Sequence, residues 1–126
     1  MEKLVGILVV SARGELLMRR GADGVVTAFA GLIEPGDVPV RAAVRGLREE
    51  TGLEVQADDL EFLDMYADEG SEVQVFVLAG VDEDRVYVYG REESLCKVQR
   101  SDDFGSMKLS ALARKYVIDY FKSHKR

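Results

Sequence analysis

Residues 31–53 read GLIEPGDVPVRAAVRGLREETGL, and this stretch carries signals for both ends of one helix as well as its buried face. Asp37 is the expected N-cap, its carboxylate accepting from the free amides of the first turn, and Pro39 is tolerated there because those amides lack helical partners. Val40, Ala43, Val44, Leu47 and Thr51 recur at spacings of three and four and form one apolar stripe. Gly52 supplies the left-handed residue after the last turn, with Leu53 placed to fold back onto it. A helix with one apolar stripe must lie on a second layer, so the flanking segments have to provide a sheet.

They read that way. Residues 4–10 are continuously apolar and rich in β-branched side chains, like a strand covered on both faces, and residues 11–14 turn into residues 15–20 to make a hairpin. A breaker cluster at 21–24 precedes a short strand-like run at 25–29, and residues 31–36 form a loop with a Pro35-Gly36 turn signal. Residues 60–66 and 73–81 look like strands joined by the acidic turn Asp68-Glu69-Gly70, and residues 86–89 like another. Residues 91–105 have no clear period and read as a long surface loop. Leu109, Leu112, Ala113, Tyr116, Val117 and Tyr120 mark a C-terminal amphipathic helix, and the basic residues of 122–126 suit its negative pole. Strands, helix, strands and helix without regular βα alternation give an α+β fold, a mixed sheet with helices packed on it, in a single domain over residues 1–126.

Composition narrows the function. The 126 residues carry 23 acidic against 17 basic side chains, a net charge of −6, which argues against a general phosphate-attracting surface for a nucleic-acid polymer. A small anionic substrate stays compatible, because a bound divalent cation can reverse the local field. No apolar run approaches the ~18 residues that span a bilayer. The apolar start lacks a small-residue cleavage site and runs into a turn at Arg13-Gly14, so we read a strand and a cytoplasmic protein that makes no use of a membrane. A lone Cys96 cannot form an internal disulfide, and His124, alone in a basic tail, is a poor base for Ser-His or Cys-His chemistry.

Within the helix, Arg45 and Glu49 stand four apart, as do Gly46 and Glu50, so the two pairs form adjacent rows of one exposed ridge. Glu49 and Glu50 are hard oxygen donors of the kind that hold Mg²⁺ or Mn²⁺ together with substrate phosphates. The bland alternative is an Arg45–Glu49 pair and a solvated Glu50 that contribute a few tenths of a kcal/mol. A phosphate loop is excluded by the missing Lys-Ser/Thr pair after Gly36, and a calcium loop at Asp82 and Asp84 by Val86 and Tyr87.

The stretch resembles the Nudix box, which runs Gly, five of any kind, Glu, seven of any kind, then Arg-Glu-aliphatic-any-Glu-Glu-any-Gly-aliphatic. Gly31, Arg45, Leu47, Glu49, Glu50, Gly52 and Leu53 match in register, and LLMRR after the first strand and Phe29-Ala30-Gly31 resemble the family's flanks. The resemblance implies an α/β/α sandwich around a mixed sheet, with the box as loop-helix-loop. It further implies Mg²⁺-dependent attack of water on a phosphoanhydride bond in a nucleoside diphosphate linked to another moiety, and it is compatible with a homodimer. By the same likeness Arg45 orients Glu49, Glu49 and Glu50 belong to the metal site, and the backbone carbonyl near Gly31 assists.

Two positions depart from the pattern: Asp37 and Gly46 stand where the box has glutamates. At Gly46 we expect loss or relocation of a catalytic carboxylate, in preference to a close approach of another backbone. Glu34, Asp68, Glu69, Glu92, Glu93, Asp102 and Asp103 are the candidates for a relocated group. If none serves, the chain is a catalytically impaired Nudix-fold nucleotide-binding or regulatory domain. For stacking on a ligand's ring the chain offers Phe29, Tyr66, Tyr87 and Tyr89, with no assignment among them.

Overall fold

Strand β1 (Glu2–Ser11) is the axis of the sheet, because its apolar run is buried on both faces from Val5 onward. The computed structural model describes residues 1–124. One edge of β1 pairs in parallel with β6 (Ser71–Val81) from Glu2↔Ser71 to Ser11↔Val81. The opposite edge is shared. Its first half pairs antiparallel with β4 (Phe29–Leu32), from Leu4↔Leu32 to Ile7↔Phe29. Its second half pairs antiparallel with β2 (Leu16–Arg20), at Val9↔Leu17 and Val10↔Leu16. The sheet therefore forks where β1 exchanges one neighbour for the other. Strand β2 goes on to pair with β3 (Val26–Thr27) and β7 (Ser94–Val98), and β5 (Glu61–Ala67) pairs with β6.

Alternation along β1 divides the core into two layers. Val5, Ile7 and Val9 face helix α1 (Pro39–Thr51) and cluster with Ala42, Ala43, Leu47, Leu17 and Phe29. Leu8 and Val10 face helix α2 (Ala111–Ser123) and cluster with Ala113, Tyr116, Val117, Tyr120 and Phe121. The result is the α/β/α sandwich around a mixed sheet that the resemblance implied. Gly52 closes α1 in the left-handed conformation with φ 79°, its amide donating to the Arg48 carbonyl, as expected.

Several local expectations are corrected. The N-cap of α1 is Val38, without a side-chain bond, because the Asp37 carboxylate turns to Arg45 and to the Glu34 amide instead. Gly31 and Leu32 belong to β4, not to a loop. Residues 86–89 are not a strand: Val86 drops into the core, the Tyr87 amide donates to the Thr51 carbonyl, and the Tyr89 hydroxyl rests against Gly52. The span 91–105 contains β7, whose Cys96 and Val98 are buried beside exposed Lys97. Ser110 caps α2 by accepting from the Ala113 amide; of the basic end placed at its pole, residues 125 and 126 lie outside the described ones.

Leu47 is fully buried at the centre of the α1 layer, whereas Val44 on the same helix is half-buried. Leu47→Ala should therefore lower the unfolding free energy by about 2–5 kcal/mol in urea denaturation, and Val44→Ala by clearly less. Equal losses at the two positions would place the helix's buried face elsewhere.

Candidate active site

At Gly46 and Gly31, helix α1 meets β4 backbone to backbone. A β-carbon at Gly46 would lie 3.2 Å from the Ala30 carbonyl oxygen and 3.3 Å from the Gly31 α-carbon, and one at Gly31 would lie 3.3 Å from the Gly46 α-carbon. Gly46 is thus buried, not part of the exposed ridge. The close approach of another backbone, ranked second from the sequence, is what the structure contains at this position.

One turn after Gly46, Glu50 reaches the strand that this contact brings near. Its Oε1 accepts from the Ala30 amide at 2.8 Å. Its Oε2 lies 3.6 Å from Arg19 Nη1, and the same nitrogen donates to Glu93 Oε1 at 3.0 Å. Three elements therefore meet at one guanidinium: α1 through Glu50, β2 through Arg19, and the segment before β7 through Glu93. The side chains of Arg19, Glu50 and Glu93 are 32%, 27% and 25% exposed, so a solute can reach all three. Ion pairs this open contribute about 0–1 kcal/mol each. They are weak enough for a ligand to rearrange.

Arg45 has partners other than the one expected. Its Nη2 donates to Asp37 Oδ2 at 2.8 Å and to the Leu32 carbonyl at 3.0 Å, and lies 3.7 Å from Glu34 Oε2. Glu49 is exposed and, among the described residues, makes no hydrogen bond or ion pair; Arg45 feels it only as a weaker charge. Arg45 thus ties the loop before α1 to the helix and, among the described residues, makes no bond to Glu49. The Arg45 guanidinium, with the Glu34 amide, holds the Asp37 carboxyl below the usual aspartate range, and Asp37 in turn pushes Arg45 up.

Of the carboxylates offered to replace the one missing at Gly46, Glu93 alone is joined to the Glu50 cluster by an ion pair among the described residues. Asp102 and Asp103 accept amides of their own turn, at Gln99 and Gly105, and Asp68 does the same at Gly70 and Ser71. Glu34 belongs to the Arg45 group, Glu69 makes no side-chain polar contact among the described residues, and Glu92 takes a left-handed φ of 60° in the turn before Glu93. Gly31 pairs with Val5 and abuts Gly46, one residue from the amide that binds Glu50.

Sequence reasoning passed over Arg19 and the Ala30 amide. Strand alternation held the signal for the first: Arg19 lies two residues after Leu17, which packs on the α1 face. Beside Arg19 and Ala30, a cavity of about 350 Å³ runs between the sheet and the start of α2, lined by Gly6, Phe29, Val73, Ser110, Leu112 and Tyr116 among others. Tyr116 is buried there, and that burial, with the nearby Asp68 charge, pushes its hydroxyl up to about 12.

Among the described residues no three acidic, histidine or cysteine side chains form a ready cluster for a metal ion. Two carboxylates do converge on one cationic nitrogen, however, that of Arg19. Mg²⁺ is commonly held by one or two carboxylates, with waters and substrate phosphates filling the remaining positions, so Glu50 and Glu93 fit it in donor type and number.

The sequence profile of the NUDIX domain matches residues 2–114. A MutT/nudix family protein from Enterococcus faecalis superposes with a TM-score of 0.77 at 11% identity, over 97% of this chain and 61% of that one. A MutT structure from work on Aliivibrio salmonicida and Vibrio cholerae superposes equally well, with a TM-score of 0.77 at 17% identity over 98% of both chains. In sequence, 71 residues are 39% identical to an octanoyltransferase of Myxococcus xanthus, covering 52% of this chain and only 20% of that protein.

The Arg45–Asp37 pair generates a pH prediction. Carboxyl-carbon NMR should place the Asp37 midpoint below the ordinary ~3.9, and Arg45→Met should return it toward that value. Because the pKa is lowered in the folded chain, the pair's contribution to stability is complete above about pH 4 and is lost as pH falls through the lowered midpoint. A midpoint that ignores Arg45→Met contradicts the pairing.

Proposed function

The chain belongs to the NUDIX domain family, and on that premise we propose that it hydrolyses a phosphoanhydride bond in a nucleoside diphosphate linked to another moiety, using Mg²⁺ or Mn²⁺. The observation that supports this is the convergence of Glu50 and Glu93 on one cationic centre beside a cavity. A divalent ion, when bound, offsets diphosphate charge and lowers the pKa of a bound water. Glu50 and Glu93 would hold it, with Glu49 exposed on the preceding position of the helix. In this reading Glu93 is the relocated carboxylate, and the cost of Gly46 is one donor, not the whole site.

The cavity would take the moiety beyond the diphosphate. Its floor is apolar, while Arg19, Ser110 and Asp68 offer polar contacts at its margins. The Ala30 amide holds Glu50 in place, so the carboxylate does not have to be ordered when the ligand arrives. We also propose that the chain works as one domain in the cytoplasm; among the described residues no helix is long and apolar enough to cross a membrane.

Gly46 favours a second reading, a catalytically impaired nucleotide-binding or regulatory domain, because the strand backbone fills the space beside it. Hydrolysis assays over a panel of nucleoside diphosphate derivatives with Mg²⁺ and Mn²⁺ separate the two. The hydrolase reading predicts native turnover that needs the metal and is abolished by Glu50→Gln or Glu93→Gln. Silence of the native chain across the panel, with a nucleoside diphosphate derivative still raising its melting temperature, would establish the second reading.

A further inference from the structure

Arg19 Nη1 alone serves both carboxylates, at 3.0 Å from Glu93 Oε1 and 3.6 Å from Glu50 Oε2. A guanidinium is suited to two parallel bonds with one carboxylate or phosphate, an arrangement absent here. Among the described residues its Nη2 and Nε make no hydrogen bond. The side chain also borders two cavities, the 350 Å³ one under α2 and a second lined by Asp23, Thr27 and Glu93. Donors left unused beside open space are what an incoming phosphate would engage.

We propose that Arg19 is an exchangeable counter-ion: it occupies the Glu50–Glu93 pair until a diphosphate-bearing ligand takes its guanidinium, and its departure opens the pair to a divalent cation. The proposal rests on the hydrolase reading of this site. A metal arriving alone must displace Arg19 from both carboxylates. With a diphosphate present, the guanidinium transfers to phosphate oxygens and the carboxylates are released together. Metal and ligand then assist each other, and by linkage each raises the other's affinity by the same factor. Arg19 is a positioning residue in this scheme, acting through Glu50 and Glu93. The gain for the protein is a site that does not hold a metal without its substrate.

Calorimetric titration of Mn²⁺ into the full chain tests this, with and without α,β-methylene-ADP, whose carbon bridge cannot be hydrolysed. Once Mn²⁺ binding by the free analogue is measured without protein and taken into account, the native chain should bind Mn²⁺ at least about tenfold more tightly with the analogue than without it. Arg19→Gln should bind Mn²⁺ alone at least about tenfold more tightly than the native chain, and the analogue should add less. If Arg19→Gln leaves Mn²⁺ affinity unchanged while Glu50→Gln lowers it, the metal site stands and the counter-ion role is overturned. If neither native nor Arg19→Gln binds Mn²⁺ or the analogue, the hydrolase reading fails and takes the proposal with it. A native-chain measurement covers the case in which Arg19→Gln does not fold. The analogue without metal should shift one arginine Nε–H resonance, the one missing from Arg19→Lys, and an unshifted resonance overturns the proposal.

Discussion

The backbone contact between Gly46 on α1 and Gly31 on β4 sets the geometry of everything around it. Neither residue has a side chain to hold the two elements apart, and a β-carbon on either would press on the other's backbone. A glycine inside a helix costs about 1 kcal/mol relative to alanine. Here that is offset by the packing the approach permits, with Ala42, Ala43 and Leu47 buried against β1 and β4. The approach also explains how Glu50 meets a strand amide at 2.8 Å, and how Arg45 can reach back to the Leu32 carbonyl.

The fork in the sheet supplies the rest. Because β1 pairs with β4 in one half and β2 in the other, β2 is free to carry Arg19 toward the side of β4 where Glu50 arrives. Pairing of Arg19 with Leu95 on β7 brings the preceding Glu93 to the same place. Three segments far apart in the chain thus deliver two negative groups and one positive group to one point. In a chain of net charge −6, an anionic ligand needs such a local cation, whether guanidinium or metal.

What the sequence disclosed tracks where the physics is local. The end of α1 was legible because Gly52 has a local reason to be there, and the layers on both faces of β1 were legible in its unbroken apolar run. The start of α1 was misread because a capping aspartate and one paired with a distant arginine look alike, and only tertiary contact separates them. Strand β7 was missed since its alternation spans only Leu95 to Val98 within a charged stretch, and residues 86–89 alternate like a strand yet lie across a helix end. Helical spacing singled out Glu49 and Glu50, of which Glu50 joins the Arg19 group, but Arg19 itself required knowledge of which strand pairs with which. Gly46 was read as a missing carboxylate, and the structure adds the positive reason for its presence.

A crystal structure of the native chain grown with Mn²⁺ and α,β-methylene-ADP tests the central claim most directly. An anomalous manganese peak between Glu50 and Glu93, with Arg19 turned onto the analogue's phosphate oxygens, is the predicted result. Analogue bound while Arg19 still bridges both carboxylates, with manganese elsewhere, would contradict the account.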